Sequence, residues 1–540
     1  MKKIKLVFSS STESESESYF LSPIFWMLRM HHENFGVSKH DWNWTTPYAI
    51  MSLADRTQQE LIDLIINDNI DLVAFSMYSW NRGVVLTASE KLKNINPNLI
   101  IVIGGPDVDA HRNENFFKIH SYIDYAVYGD GEDAFTRLLD HLSGHQVNLI
   151  NVVDKHTVYP HEVFKDKVAM GISPFIQYKD DFINYFEFLF NYFKNNNIKK
   201  NVVPVWETTK GCPYACTFCD WSSGLHNKVR FWGKDELIPN WQKEIDLFFY
   251  IQKRFSLDLM VVEWTNPNIG LSRQDEEIVD YWCKLKKTLG YGPVIRSPQL
   301  SKLNKETTFR ILDKMLDANI TSGFKFDVQD VDQEVLKNVD RPEIPWEEHK
   351  EFILAIKNKR KKREEFFIQN GNKYKNRINF IWGLPGQTLN HLRTNIIEAG
   401  TVRSYAFILP FDLLPNSPAF NPEYQEKYKI KYKKISFVNS DVVVERAIVS
   451  TYSLSEFEYF CGLILSNLYS IFYSIVRAPI IGQEYKIFEN SYKISELIEK
   501  SYEPFKNEGL VGLIDNENLI SVAEYVKFHR EELLKIFDLV

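Results

Sequence analysis

The stretch Lys210-Gly211-Cys212-Pro213-Tyr214-Ala215-Cys216-Thr217-Phe218-Cys219-Asp220-Trp221 places three of the chain's five cysteines on one short loop, spaced C-x3-C-x2-C. An apolar run at residues 202–208, read as a strand, precedes it. Three thiolates on such a loop can hold three irons of a cubane cluster, one sulfur to each, leaving the fourth iron open to another group. A zinc site would more often bring a nearby fourth Cys or His in paired spacing. His226 keeps that alternative open. Cys283 and Cys461 fall in apolar helical patterns and read as core thiols.

Downstream of the loop, strand-like runs at 259–264, 294–297, 323–328, 377–382 and 405–409 alternate with helical patterns near 235–251, 275–289, 305–318, 333–337 and 389–398. Counting 202–208, these are six strand–helix repeats. They predict a partial (β/α)6 barrel over residues 201–420, since a full eightfold barrel needs about 250 residues. The basic run at 357–365 (KNKRKKREE) reads as a solvated helix face, with an RNA-binding patch as the alternative. Beyond 420 the strand rhythm fades. Residues 440–478, 494–507 and 519–538 read as helices, which predicts a helical C-terminal domain over 421–540.

Upstream, residues 1–150 show the same alternation. Strands are expected at 4–8, 71–77, 99–103 and 124–128, with helices at 58–66 and 83–93 between them. Apolar strands without strict alternation are buried on both faces, as in a parallel sheet. Each ends in small or polar residues: Ser9-Ser10, Ser79-Trp80-Asn81, Gly104-Gly105-Pro106 and Gly129-Asp130-Gly131. Open α/β sheets take their ligands at those carboxyl ends. The serine- and glutamate-rich tract at 9–18 reads as a solvated loop. Residues 151–200 form a helical connector whose helix at 180–194 carries an aromatic stripe.

Composition narrows the class. With 540 residues, about three domains are expected. The chain is 44% hydrophobic and 25% charged, values ordinary for a globular protein and unlike a collagen, a disordered chain or a disulfide scaffold. A net charge of -7 gives no global field to hold a nucleic-acid backbone. No secretion signal opens the sequence, and free cysteines suit the cytoplasm. Residues 459–476 are uncharged but carry several serines. They read as a buried helix, because a membrane span needs about 20 mainly apolar residues.

The cysteine loop resembles the signature of the radical S-adenosylmethionine (SAM) superfamily, and Phe218, the aromatic before the third cysteine, fits it too. Further patterns are similar to those of its cobalamin-binding members. Asn266-Pro267-Asn268-Ile269-Gly270, followed by Arg273 and Asp275, resembles a D-A-N-F-G-like run with R-D after it, with Asn266 in place of the Asp. Val328-Gln329-Asp330 follows. Gly383-Leu384-Pro385-Gly386-Gln387-Thr388 looks like a G-L-P-G-E-T turn with Gln387 in place of Glu, and Leu414-Pro415-Asn416-Ser417-Pro418 like L-P-N-S-P. In the first 150 residues, Ser76-Met77-Tyr78-Ser79-Trp80-Asn81 looks like an S-x-x-x-W-N strand end. Gly104-Gly105-Pro106 resembles G-G-P, and Gly129-Asp130-Gly131-Glu132 resembles G-E-G-E. The D-x-H-x-x-G motif that supplies a histidine ligand in other cobalamin proteins is absent.

The resemblance implies an N-terminal Rossmann-like cobalamin-binding domain, a central radical SAM barrel and three cofactors: a [4Fe-4S] cluster, SAM and cobalamin. It gives Cys212, Cys216 and Cys219 as cluster ligands. Phe218, Asn266, Asn268, Gln329 and Gly383 become SAM contacts. Ser76, Tyr78, Trp80, Gly104, Gly105, Gly129 and Gly131 become cobalamin contacts, with Trp80 or Tyr78 near the lower face of the corrin. The implied activity is methylation of an unactivated carbon of a small, natural-product-like substrate through methylcobalamin and a 5′-deoxyadenosyl radical. A reductant protein such as flavodoxin or ferredoxin would supply electrons. A non-methylating radical rearrangement, modification of RNA and a zinc-stabilised binding protein remain open at this point.

Overall fold

A computed structural model describes residues 1–11, 18–51, 55–108, 114–162, 171–222, 229–231, 238–296, 298–300, 305–321, 323–341, 343–360, 377–402, 404–436, 443–459, 462–463, 465–466 and 469. The N-terminal part is a seven-stranded sheet. Strand β1 (Lys2–Ser11) is flanked on one side by β3 (Trp42–Trp44) and β4 (Tyr48–Met51). On its other side come β5 (Leu72–Ser76), β6 (Ile100–Gly104) and β7 (Tyr125–Val127), all parallel to it. Strand β8 (Val152–Asp154) closes this edge antiparallel to β7.

The apolar runs form strands because both faces of this sheet are covered. Leu72, Ala74 and Val102 face Leu28, Phe135 and Leu138 of the helices Ile24–Phe35 and Gly131–Leu142. Their neighbours Val73, Phe75, Ile101 and Ile103 face Leu61, Ile65, Val85 and Leu92 of the helices Asp55–Asn67 and Arg82–Ile95. Successive side chains point to opposite faces, so one strand feeds two separate cores.

The second part contains a short strand that the sequence reading did not anticipate. Strand β2 (Ser18–Leu21) follows the serine tract but does not join the first sheet. It runs parallel to β9 (Asn201–Trp206), pairing Ser18 with Asn201 and Leu21 with Pro204. From β9 the order continues to β12 (Val261–Trp264) and β13 (Val294–Ile295). A further four-stranded sheet starts at β14 (Gln299–Leu300), which pairs with β15 (Lys325–Gln329), then β16 (Arg377–Trp382) and β17 (Tyr405–Pro410). Every pairing in this series is parallel. All six expected strands are present, in sequence order, with β2 added at the edge.

Two contacts show that this strand series curls. Neighbouring strands lie about 4.8 Å apart, so a flat sheet would hold β2 and β13 roughly 14 Å apart. Yet the Arg296 guanidinium sits 4.9 Å from the centre of the Phe20 ring. Glu263 on β12 likewise reaches Lys325 on β15 at 2.9 Å, across the intervening strand. Glu263, Arg296 and Lys325 therefore share a concave face. On the convex face Val262 and Trp264 pack with Ile278, Val279 and Trp282 of the helix Arg273–Leu289.

The helical reading of residues 440–478 needs correction at its start. Residues Val443–Ser450 form β19, antiparallel to β18 (Lys431–Ser436). Four of its eight residues are β-branched, which favours a pleated surface over a helix. Ala447, Ile448 and Val449 are buried, and Ile448 donates its amide to Phe411 at 2.9 Å, so the strand caps the end of β17. The segment that begins at Tyr459 is buried where it is described. Trp382 stacks on Tyr459 and donates to its carbonyl at 2.9 Å, and Ala406 donates to the Tyr469 hydroxyl at 3.1 Å. No described helix is long and apolar enough to cross a membrane. The expected helices at 494–507 and 519–538, together with His226, Cys461 and most of the basic run, lie outside the described residues.

Candidate functional site

The cysteine loop leaves the carboxyl end of β9 through β10 (Thr209–Lys210), which pairs antiparallel with β11 (Arg230–Phe231). Asn266, at the end of β12, fixes its starting point. The Asn266 side-chain oxygen accepts from the Thr208 and Thr209 amides at 2.9 and 3.0 Å. Its nitrogen donates to Thr208 Oγ1 at 2.8 Å and to Asp275 at 3.3 Å. Both ends of this amide are engaged within the fold. Asn266 thus ties two strand ends together, and these bonds turn its polar atoms inward rather than toward a ligand. Asp275 accepts from the Gly270 amide at 2.9 Å and completes a capping box with Ser272. Burial pushes its carboxyl up to about 6 against these bonds.

Cys216 is buried and Cys212 and Cys219 are half-buried. Cys219 donates its amide to the Cys216 carbonyl at 3.1 Å, which folds the loop back on itself. Burial, then the neighbouring Cys216 and Cys212 sulfurs, push the Cys219 thiol up to about 12. A thiol held up in this way ionises more readily beside a cation, and three sulfurs on one loop fit iron. Among the described residues no three Cys, His, Asp or Glu side chains converge as ligands of a single metal ion. Three thiolates spaced C-x3-C-x2-C suit a cluster, where each sulfur binds its own iron.

The other expected SAM contacts divide. Gln329, at the end of β15, is held at φ 70°, and its buried side-chain oxygen has no hydrogen-bond partner. Left-handed backbone at a non-glycine residue and an unsatisfied buried acceptor are both costly. Together they fit a donor such as the amino or ribose hydroxyl groups of SAM. Asn268, just beyond the end of β12, is buried. Gly383 (φ 106°) serves the fold: a Cβ there would stand 3.0 Å from the Ile448 carbonyl oxygen, and its amide donates to Gln387 at 2.9 Å. Phe218 packs edge-on against Phe411 in a small apolar cluster. Gln387 also donates to Asp330 at 2.6 Å, a contact that a glutamate would turn into two facing carboxylates.

All seven expected cobalamin contacts lie at or just beyond the carboxyl ends of β5, β6 and β7. Tyr78 and Trp80 stack, with centroids 4.4 Å apart and planes 16° from parallel. Asn81 closes this turn, accepting from the Tyr78 amide at 2.7 Å and donating to the Ser76 carbonyl at 2.9 Å. Gly105 (φ 112°) must be glycine because a Cβ would come within 2.6 Å of the Met77 carbonyl oxygen. A stacked aromatic platform beside two glycine turns fits the face of a large flat ligand.

These strand ends meet the cysteine loop through charges that the sequence reading did not single out. Lys210 reaches Glu132 at 2.7 Å and Asp130 at 3.3 Å, and Arg230 reaches Asp130 at 2.5 Å. Burial opposes the Lys210 charge, but Glu132, Asp130 and Glu207 outweigh it and raise its pKa. Burial also pushes Glu207 up to about 7, against Lys210. A second tie joins Asp107, after the Gly104–Gly105 turn, to Arg446 of β19 at 2.7 Å. A third runs from Asn416 to the Val108 carbonyl at 2.7 Å. The signal was adjacency: Lys210, Asp130, Glu132 and Asn416 all sit inside the quoted motifs.

Comparison with known proteins agrees with this layout. Residues 48–139 match the B12 binding domain. The chain is 28% identical over 383 residues to the cobalamin-dependent radical SAM methyltransferase TokK of Streptomyces tokunonensis, covering 69% of this chain and 51% of that protein. It is 26% identical over 365 residues to 2-(S-pantetheinyl)-carbapenam-3-carboxylate methyltransferase of Streptantibioticus cattleyicolor, covering 67% of this chain and 50% of that one. The chain thus spans about half the length of these curated relatives. The solved structure of the cobalamin-dependent S-adenosylmethionine radical enzyme OxsB, with aqua-cobalamin and S-adenosylmethionine bound, shares the fold at 12% identity. Its TM-score is 0.59, over 99% of this chain and 78% of that one. The resemblance to cobalamin-binding radical SAM enzymes, first carried by the motifs, is borne out by domain match, relatives and fold alike.

Proposed function

We propose that this chain is a cobalamin-dependent radical SAM enzyme that methylates an unactivated carbon of a small molecule. The observation that carries the reading is the joint at Lys210. One side chain ties the strand that leads into the cysteine loop to the Gly129–Glu132 turn, so both motif sets face one another. In this reading the first sheet is a Rossmann-like cobalamin domain and the curled series is the partial (β/α)6 barrel. When bound, the cluster and SAM supply a 5′-deoxyadenosyl radical, and cobalamin supplies a methyl carrier.

The chain's own residues hold and orient. Cys212, Cys216 and Cys219 offer one sulfur each. Gln329 and Asn268 offer amides to SAM at the strand ends. The Tyr78–Trp80 stack would support one face of a bound corrin. Asn266, Asp130 and Asp107 fix the loops that carry these groups, which keeps reacting atoms at short range. A flavodoxin or ferredoxin would deliver the electron, and the cytoplasm is the compartment in which such thiols stay reduced.

Anaerobic reconstitution with iron, sulfide and hydroxocobalamin tests the reading. After desalting, roughly four irons and about one cobalt per chain are expected. Turnover with SAM and substrate then yields 5′-deoxyadenosine together with S-adenosylhomocysteine. Iron without cobalt removes methyl transfer and leaves a radical SAM enzyme. Deoxyadenosine without S-adenosylhomocysteine points instead to a radical rearrangement.

A further inference from the structure

Arg341 is 3% exposed and lies against the cysteine loop. Its guanidinium donates through Nη1 to Cys216 Sγ at 3.6 Å. Through Nη2 it donates to the Asp327 carbonyl oxygen and lies 3.4 Å from Glu343 Oε2. The segment that presents it is bound to the loop at several points. Arg341 donates its amide to the Leu336 carbonyl at 2.9 Å, and Thr217, the neighbour of Cys216, donates to the Val339 carbonyl at 3.0 Å. The Tyr424 hydroxyl donates to the Asn338 carbonyl at 3.1 Å and accepts from Thr217 Oγ1 at 3.0 Å.

An arginine does not lose its proton inside a protein, and its planar fork holds direction as well as charge. Here one prong donates to a sulfur and another to a backbone carbonyl, with a carboxylate 3.4 Å away. Glu343 is buried like Arg341, and its other oxygen lies 3.5 Å from His349 Nε2. Hydrogen bonds to cluster sulfurs, nearby charge and solvent exposure set the reduction potential of an iron–sulfur centre. An electron arriving from the donor protein adds one negative charge to the cluster. A buried cation bonded to one of its sulfurs favours that state. A carboxylate sharing the same guanidinium draws the cation's field away.

We propose that Arg341 and Glu343 are a pair of positioning residues that set the cluster's reduction potential from opposite directions, Arg341 raising it and Glu343 lowering it. The proposal rests on Cys212, Cys216 and Cys219 holding a cluster. The test uses the full chain, reconstituted anaerobically as wild type, Arg341→Gln, Arg341→Lys and Glu343→Gln. Iron and sulfide are counted, and the midpoint is then read by spectroscopically monitored redox titration without SAM. Arg341→Gln should titrate at lower potential than wild type, Glu343→Gln at higher potential, and Arg341→Lys between wild type and Arg341→Gln. Equal midpoints for wild type and Arg341→Gln at equal iron content would overturn the proposal. If Arg341→Gln fails to load iron, Glu343→Gln decides: an unchanged or lowered midpoint overturns the proposal and a raised one supports it. Failure of the wild type to load a cluster would remove the cysteine reading instead, a distinct result.

Discussion

The N-terminal sheet and the later parallel strand series solve the same problem in different ways. The N-terminal sheet buries both of its faces under helices, so Val73 and Ala74, adjacent in sequence, sit in different cores. Its carboxyl ends form a row where Tyr78, Gly105 and Gly129 lie. The later strand series packs the helix Arg273–Leu289 on its convex face. Its concave face keeps Glu263, Arg296 and Lys325, and Glu263 reaches Lys325 across the intervening strand. The first sheet is a support that offers an edge. The second is a wall that offers an interior, and it carries the cysteine loop at its rim. The division teaches that stability and chemistry are separated in space, except along the charged seam between them.

Substitutions can break or sharpen that division. The largest effect is expected at the rim. Replacing any one of Cys212, Cys216 or Cys219 by Ala should abolish deoxyadenosine formation and lower iron content while leaving cobalt retention near wild type. Retained turnover in any of the three would sink the assignment. Next comes the support. Phe75→Ala, deep between strand and helices, should cost about 3–5 kcal/mol in denaturant titration, the usual loss for an aromatic deleted from a core. A loss below about 1 kcal/mol would mean that this face is less tightly packed than its burial implies.

The seam should respond more weakly and in both properties. Asp130 is buried between Lys210 and Arg230, so Asp130→Asn leaves two cations short of a partner and should cost about 3 kcal/mol. It should also lower cobalt and iron retention together. Loss of one metal alone would show that the seam does not couple the halves. The smallest effect concerns pH. Glu207 keeps its proton in the folded chain up to about 7, whereas an unfolded glutamate loses it near 4.3. Unfolding between those values releases a proton, so this residue's contribution is complete below about 4.3 and fades as pH rises through 7. The stability of Glu207→Gln relative to wild type should therefore rise between pH 5 and 7.5. A flat difference would contradict the burial of that carboxyl.

Much of this arrangement was readable in the chain. Strands such as Leu72–Ser76 and Ile100–Gly104 announced themselves because double burial leaves an unbroken apolar run. The cysteine loop was readable because its chemistry depends on local spacing. Two kinds of feature were not. Strand β2 is only Ser-Tyr-Phe-Leu beside a low-complexity tract, too short to show a period, and its partner is far along the chain. Strand β19 has β-branched residues in both halves, but an apolar run does not separate strand from helix without knowledge of its partner. The ion pairs of the seam join residues 78 and 339 positions apart, a distance over which no sequence pattern reports. Asn266 shows the converse: an amide at a strand end was legible, but which groups it would bond was decided by tertiary neighbours.

Strand β2 also governs how the molecule can be taken apart. The chain leaves the first sheet at Ser11, lays Ser18–Leu21 along the edge of the second, and returns to the first through the helix Ile24–Phe35. A single cut anywhere in residues 151–200 would sever the obvious tether and leave this thread in place, with its parallel ladder to β9 intact. Nicked chains should therefore migrate as one particle under native conditions and separate only on unfolding. A fragment ending at residue 150 would carry an orphan strand edge outward, open to sticking to its own kind.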